Sequence, residues 1–127
     1  MFEDEGYQLM GAAFEVYNEL GYGMAEEIYQ QSLEIELSRR GIPFQSKCVL
    51  AAYYKDHLLD TCYKPDMLVC SGIIVEIKAL TAVTADHEAQ LFNYMRIARQ
   101  KVGYLINFGR KGDLEWKRFI LSDLHPQ

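Results

Sequence analysis

The chain has 127 residues, of which 50% are hydrophobic and 24% charged, enough to bury one core and too few for two, so a single domain over 1–127 is expected. A net charge of −5 argues against strong non-specific binding to nucleic acid, which rests on Lys and Arg neutralising phosphates, but leaves room for a small basic cleft. Cys48, Cys62 and Cys70 are odd in number and lack CxxC spacing, which argues against a disulfide framework or zinc site and for a reduced cytoplasmic setting.

The acidic start Met1-Phe2-Glu3-Asp4-Glu5 has no apolar core after it, so no signal peptide is expected. No apolar run approaches the ~20 residues that span a bilayer, so no membrane association is expected either. From Glu5 to Leu20, Leu9, Ala12, Ala13, Val16 and Leu20 recur at helical spacing, and Gly21-Tyr22-Gly23 stops that helix. A second helix is predicted from near Met24, with Ile28, Leu33 and Leu37 on its apolar face and Glu26 and Glu27 in its first turn. Arg39, Arg40 and Gly41 close it in the order a helix C-terminus favours.

After Ile42-Pro43 the sequence turns to β patterning. Cys48–Tyr54 and Leu58–Tyr63 read as strands around a Lys55-Asp56-His57 turn. A second hairpin follows within Lys64–Lys78, and the four strands are expected to pair mostly antiparallel. Ala85–Arg99 returns to helical spacing through Ala89, Phe92, Met95 and Ile97. Val102–Phe108 is a continuous apolar strand after a helix, which predicts a parallel crossover onto the sheet. Trp116–Leu121 is a last strand, and Asp123–Gln127 is expected to fray. The expected order is ααββββαββ, an α/β (α+β mixed) domain with one central mixed sheet flanked by helices.

The second hairpin holds the residues that fit a core least well. Burying a charge is costly unless it is paired or bound to metal, yet Glu76 interrupts the apolar run Ile73–Ile77. Glu76 and Lys78, two apart on a strand, share a face. If the loop is Cys70-Ser71-Gly72, Val69 faces Ile73 and Asp66 lies opposite Glu76; a Ser71-Gly72 loop would turn Asp66 away. Three-residue loops favour a left-handed Gly at their last position, where Gly72 stands. In that register the two Cβ atoms lie ~5 Å apart, and carboxylates that close repel unless a cation lies between them. A divalent metal and Lys78 are the candidates, and hydrolysis by a metal-activated water is the chemistry that suits them. The same spacing also arises from a surface Glu–Lys pair beside an unrelated turn Asp.

Two other features bear on this choice. Gln90 and Tyr94 are i and i+4 on the third helix, with His87 on a neighbouring line, an arrangement that suits phosphate contacts or, equally, an ordinary solvated face with His87 near a cap. Glu26 follows a glycine turn, where an acidic residue also serves the helix dipole.

Gly23-Met24-Ala25-Glu26-Glu27-Ile28-Tyr29 resembles the signature of the GxxExxY protein family. Pro65-Asp66-Met67-Leu68-Val69, Val75-Glu76-Ile77-Lys78-Ala79 and His87-Glu88-Ala89-Gln90-Leu91 match in the family's order, so the resemblance runs from about Gly11 to Phe119. That family is similar to the PD-(D/E)xK nuclease superfamily, and Gln90-Leu91-Phe92-Asn93-Tyr94 resembles the QxxxY motif of its RecB-like branch. The resemblance implies a restriction-endonuclease-like core, with Asp66 and Glu76 as metal ligands, Glu26 completing or supporting the metal site, and Lys78 as the catalytic lysine. Gln90, Tyr94 and His87 would lie on the substrate side. Tyr22 stands where the family often has Pro and Tyr17 where it often has His, so a site role for position 17 does not carry over.

The expected function is a Mg²⁺- or Mn²⁺-dependent nuclease acting on DNA or RNA, helped by a homodimer or partner protein to hold its substrate. The alternatives are a non-catalytic module that keeps the fold and binds nucleic acid or protein, and a metal-dependent enzyme on a smaller phosphorylated substrate.

Overall fold

Helix α1 (Glu3–Leu20) forms where the apolar spacing predicts it. Leu9, Ala12, Ala13 and Val16 are its buried stripe, and Glu3, Asp4 and Glu5 set negative charge against the positive end of the helix dipole. Gly21, at φ 72°, ends the helix in the left-handed region that other residues enter at a cost. The computed structural model describes residues 1–122, so the fraying expected of Asp123–Gln127 falls outside the described residues. Helix α2 (Glu26–Arg39) follows and packs Tyr29, Leu33 and Leu37 into the same core as α1.

The rest of the chain runs β1 (Phe44–Ser46), β2 (Leu50–Tyr54), β3 (His57–Tyr63), β4 (Met67–Val69), β5 (Ile73–Lys78), α3 (Ala85–Ala98), β6 (Val102–Asn107) and β7 (Glu115–Ile120). Five of these strands form the central sheet in the order β1-β4-β5-β6-β7. β5 and β6 are parallel, joined by α3 as the expected crossover, and the other pairs are antiparallel. Alternation along β5 sends Ile73, Val75 and Ile77 toward α1 and α2, and Ile74 toward Leu91 and Met95 of α3. Glu76 and Lys78 therefore project on the α3 side. Among the described residues, no helix is long and apolar enough to cross a membrane.

Three features depart from the sequence reading. The expected single sheet is two, because β2 and β3 pair only with each other. Their hairpin buries little, with β3 exposed at every position before Tyr63, and so has no apolar face to lay into the central sheet. Its place beside β4 is taken by β1, which lengthens the order to ααβββββαββ; three residues after a proline are too few to show an alternation. Lys47, at φ 53°, then turns the chain out of that sheet. The hairpin loop is the third departure. Val69 does face Ile73, as a Cys70-Ser71-Gly72 loop requires, but Cys70 and Ser71, at φ 52° and 60°, take the left-handed conformations instead of Gly72. Gly72 lies against the Phe2 ring, where a Cβ has no room.

Beyond β5 and β6 the two following loops are locked together by Asn107, which is wholly buried. Its side chain accepts from the backbone N–H of Leu80 at 2.8 Å and of Gly109 at 3.1 Å, and donates to the Leu80 carbonyl at 2.9 Å and to Glu115 Oε1 at 2.8 Å. Gly109 packs against the Leu80 and Ala79 backbone so closely that a Cβ would collide. Asn107→Ala leaves these buried groups unpaired and is expected to lower unfolding free energy by about 3 kcal/mol, seen as a lower urea midpoint at unchanged slope.

Candidate active site

The β4–β5 ladder pairs Met67 with Val75, which carries Asp66 to the level of Glu76 one step further on. Asp66 Oδ2 accepts from the Ile77 N–H at 2.7 Å. Its carbonyl oxygen accepts from Gln30 Nε2 of α2 at 3.0 Å and from the Lys47 N–H at 3.1 Å. The segment before β4 is thus tied to both neighbouring strands and to α2.

Glu76 and Lys78 are half-buried between the buried residues of β5. Glu76 Oε2 accepts a hydrogen bond from the hydroxyl of Tyr63, the buried last residue of β3. The Tyr63 ring stacks on Tyr94 of α3 at 4.4 Å and 17°, and Gln90 Nε2 lies 3.4 Å from the Tyr94 hydroxyl. Gln90 and Tyr94 therefore connect to Glu76 through Tyr63. Sequence reasoning missed Tyr63, since it closes a strand with no interior alternation and only the three-dimensional packing of the β2–β3 hairpin on α3 brings it to Glu76.

Glu26 opens α2, and Tyr29 sets its position. The Tyr29 hydroxyl donates to the Gly21 carbonyl at 2.6 Å and accepts from the Met24 N–H at 3.2 Å, while its ring stacks on Phe108 at 4.7 Å. The turn before Glu26 is thereby fastened to the loop after β6. His87 caps its own helix. Its Nδ1 accepts from the Thr84 N–H at 3.0 Å, and Thr84 Oγ1 in turn accepts from the His87 N–H, a capping box that starts α3. Tyr17 is likewise occupied, its hydroxyl donating to the Arg110 carbonyl at 2.6 Å.

The carboxyl groups sense one another. Partial burial and then the Asp66 charge raise the pKa of Glu26, against Lys78 and Lys47. Burial raises Asp66, opposed by the Ile77 N–H and by Lys78. Burial and the Asp66 charge push Glu76 up to about 7, although the Tyr63 hydroxyl, Lys78 and the Asp66 N–H all favour its ionised form. Tyr63 is itself raised far above the usual phenol range by burial and by the Glu76 charge. Among the described residues, no three His, Cys, Asp or Glu side chains close into a metal cage. Oδ2 of Asp66 is bonded to Ile77 and Oε2 of Glu76 to Tyr63, while Glu26 shares their neighbourhood through the Asp66 charge. A groove of about 970 Å³ between α1 and β7 contains none of these residues.

No curated protein matches the chain. The family model of the PD-(D/E)XK nuclease superfamily matches residues 3–119, which takes in both flanking helix layers and all of the central sheet but the last residue of β7. Three helices around a mixed five-stranded sheet are consistent with a restriction-endonuclease-like fold. By this match the chain belongs to the PD-(D/E)XK nuclease superfamily, a membership that suggests nuclease activity.

Proposed function

We propose that the protein is a metal-dependent nuclease that hydrolyses a phosphodiester bond of DNA or RNA at the end of β5. The observation that carries this reading is the meeting of charges there: the Asp66 charge raises both Glu26 and Glu76, and Lys78 opposes the rise in all three acids. A lysine in the field of three partly buried carboxyls is an unusual burden on a small fold, and such perturbed groups gather where chemistry is done.

The donor set suits Mg²⁺ or Mn²⁺, which take carboxylate oxygens and keep waters, so that one or two carboxylates with substrate phosphate suffice. Asp66 and Glu76 would hold the ion, with Glu26 supporting the site from α2. When bound, it supplies a water of lowered pKa and neutralises charge on the phosphate. Lys78, on the same face as Glu76, donates hydrogen bonds to the phosphate and stabilises the negative charge that builds there. Tyr63 positions Glu76. Gln90 and Tyr94 stand on the substrate side of α3, and His87, whose Nδ1 serves the cap, has Nε2 left for the same side.

The capture of Glu76 by Tyr63 also supports a second reading, a non-catalytic module that retains the fold and binds nucleic acid or protein. Cleavage decides between them. Labelled single- and double-stranded DNA and RNA should be cut in Mg²⁺ or Mn²⁺, and Glu76→Gln and Lys78→Met should each lower the rate by at least about a hundredfold. Clean wild-type protein that cuts none of them in either metal would favour the module. Calorimetry should register divalent-ion binding that Asp66→Asn weakens; equal affinity in that variant removes Asp66 from the site.

The raised acid has a consequence for the metal-free protein. A carboxyl whose folded pKa exceeds its unfolded value costs nothing below the unfolded pKa and destabilises progressively as pH rises through the folded one. For Glu76 that window runs from 4.5 to about 7. Glu76→Gln should therefore stabilise the metal-free protein by about 3 kcal/mol at pH 8 and by almost nothing at pH 4.5, measured by urea unfolding in EDTA. Tyr63→Phe removes a bond that favours the ionised form, so it should move the midpoint of the acidic limb of activity to higher pH. An unmoved midpoint would leave Tyr63 a packing residue only.

A further inference from the structure

A cleft of about 490 Å³ opens beside the proposed active site, at the end of the sheet where the parallel strands β5 and β6 finish. Its walls include Tyr22, Met24, Ala79, Thr81, Gly109 and Lys111. The carboxyl ends of parallel strands are where open α/β sheets bind ligands. The cleft adjoins the site through the chain itself: Ala79 follows Lys78, and Met24 comes two residues before Glu26.

Every wall is fixed in place. Tyr29 holds the Gly21 carbonyl and the Met24 N–H, Asn107 holds Leu80 to Gly109, and Tyr17 holds the Arg110 carbonyl. Two side chains on these walls make no side-chain hydrogen bond or ion pair among the described residues. Tyr22 is 49% exposed, a large aromatic ring on a glycine-flanked turn. Lys111 is exposed, while the ion pairs of its loop belong to Arg110, which bonds Asp113 in a two-toothed fork and lies near Glu115. An exposed ring and an exposed cation lining one cleft match the two parts of a nucleotide. Bases stack on exposed rings only when they are unpaired, and cations follow the phosphates.

We propose that this cleft binds a nucleotide of a single strand, with its base on Tyr22 and its phosphate at Lys111, and so leads the strand to Lys78. The inference rests on the nuclease reading, and binding separates the two. Anisotropy of fluorescein-labelled single-stranded DNA and RNA oligonucleotides in EDTA should show Tyr22→Ala weakening affinity by about fivefold to a hundredfold, with Tyr22→Phe close to wild type. Lys111→Ala should weaken it too and reduce the slope of log affinity against log salt by about 0.7. The DNA and RNA arms show which sugar the cleft accepts. Both side chains are exposed, so circular dichroism and thermal midpoints should not change.

Affinities of Tyr22→Ala and Lys111→Ala equal to wild type, beside a wild type that binds and cuts, would overturn the cleft and leave the nuclease standing. A wild type that binds neither oligonucleotide also overturns it. A wild type that binds through Tyr22 and Lys111 but cuts nothing in Mg²⁺ or Mn²⁺ upholds the cleft and overturns the nuclease.

Discussion

The constraint on which the rest depends is a carboxyl group set into the apolar middle strand of the central sheet. Ile73, Ile74, Val75 and Ile77 are completely buried, and Glu76 stands among them. Charge in such a place is unfavourable unless hydrogen bonds and opposite charge offset it. The Tyr63 hydroxyl, the Asp66 N–H and Lys78 do so only in part, and burial together with Asp66 still pushes Glu76 up to about 7. A residue that served packing alone would not be kept at that cost. The apolar neighbours that make Glu76 expensive also raise the strength of any electrostatic contact made there, which is what a phosphate-handling site requires.

The glycine–glutamate–tyrosine pattern at the start of α2 has a mechanical meaning in the same terms. Tyr29 is fully buried, and its hydroxyl satisfies two backbone groups of the turn that releases α1. One helical residue later, the buried Gln30 bonds the Asp66 carbonyl. Glu26 lies about one turn before both. The helix is thus registered at once against the turn, the loop after β6 and the segment that carries Asp66. This lets residues far apart in sequence share one electrostatic neighbourhood although no side-chain bond joins Glu26 to Asp66.

What was legible in the sequence was what rests on period and local geometry. The α1 stripe, the parallel crossover into β6 and the pairing of Val69 with Ile73 all follow from spacing, since a one-residue slip in β4 would send Leu68 and Asp66 to the wrong face. The approach of Asp66 to Glu76 came from the same register. What was hidden depends on packing between distant elements. β1 is too short to carry a pattern, the β2–β3 hairpin looks like any pair of strands until its exposure is known, and Tyr63 reaches Glu76 only because that hairpin leans on α3. Gly72 was read as a turn residue when its reason is the Phe2 ring above it. His87 shows the converse, a polar residue near a site whose ring begins a helix.

The pins around the site also say which part of it can change. β5 is hydrogen-bonded on both sides, by β4 and β6. Asp66 is tied by its carbonyl to Gln30 and Lys47, the α2 start is tied by Tyr29, and the loops beyond β5 and β6 are tied by Asn107. With so many backbone groups satisfied, shifting the main chain would break several buried bonds at about 1–3 kcal/mol for each group left unpaired. Turning the Glu76 side chain gives up only its own bonds, to the Tyr63 hydroxyl and the Asp66 N–H. The side chains at this site therefore have more freedom to adjust than the main chain that carries them. The stack on Tyr94 fixes the Tyr63 phenol, whose hydroxyl in turn positions Glu76.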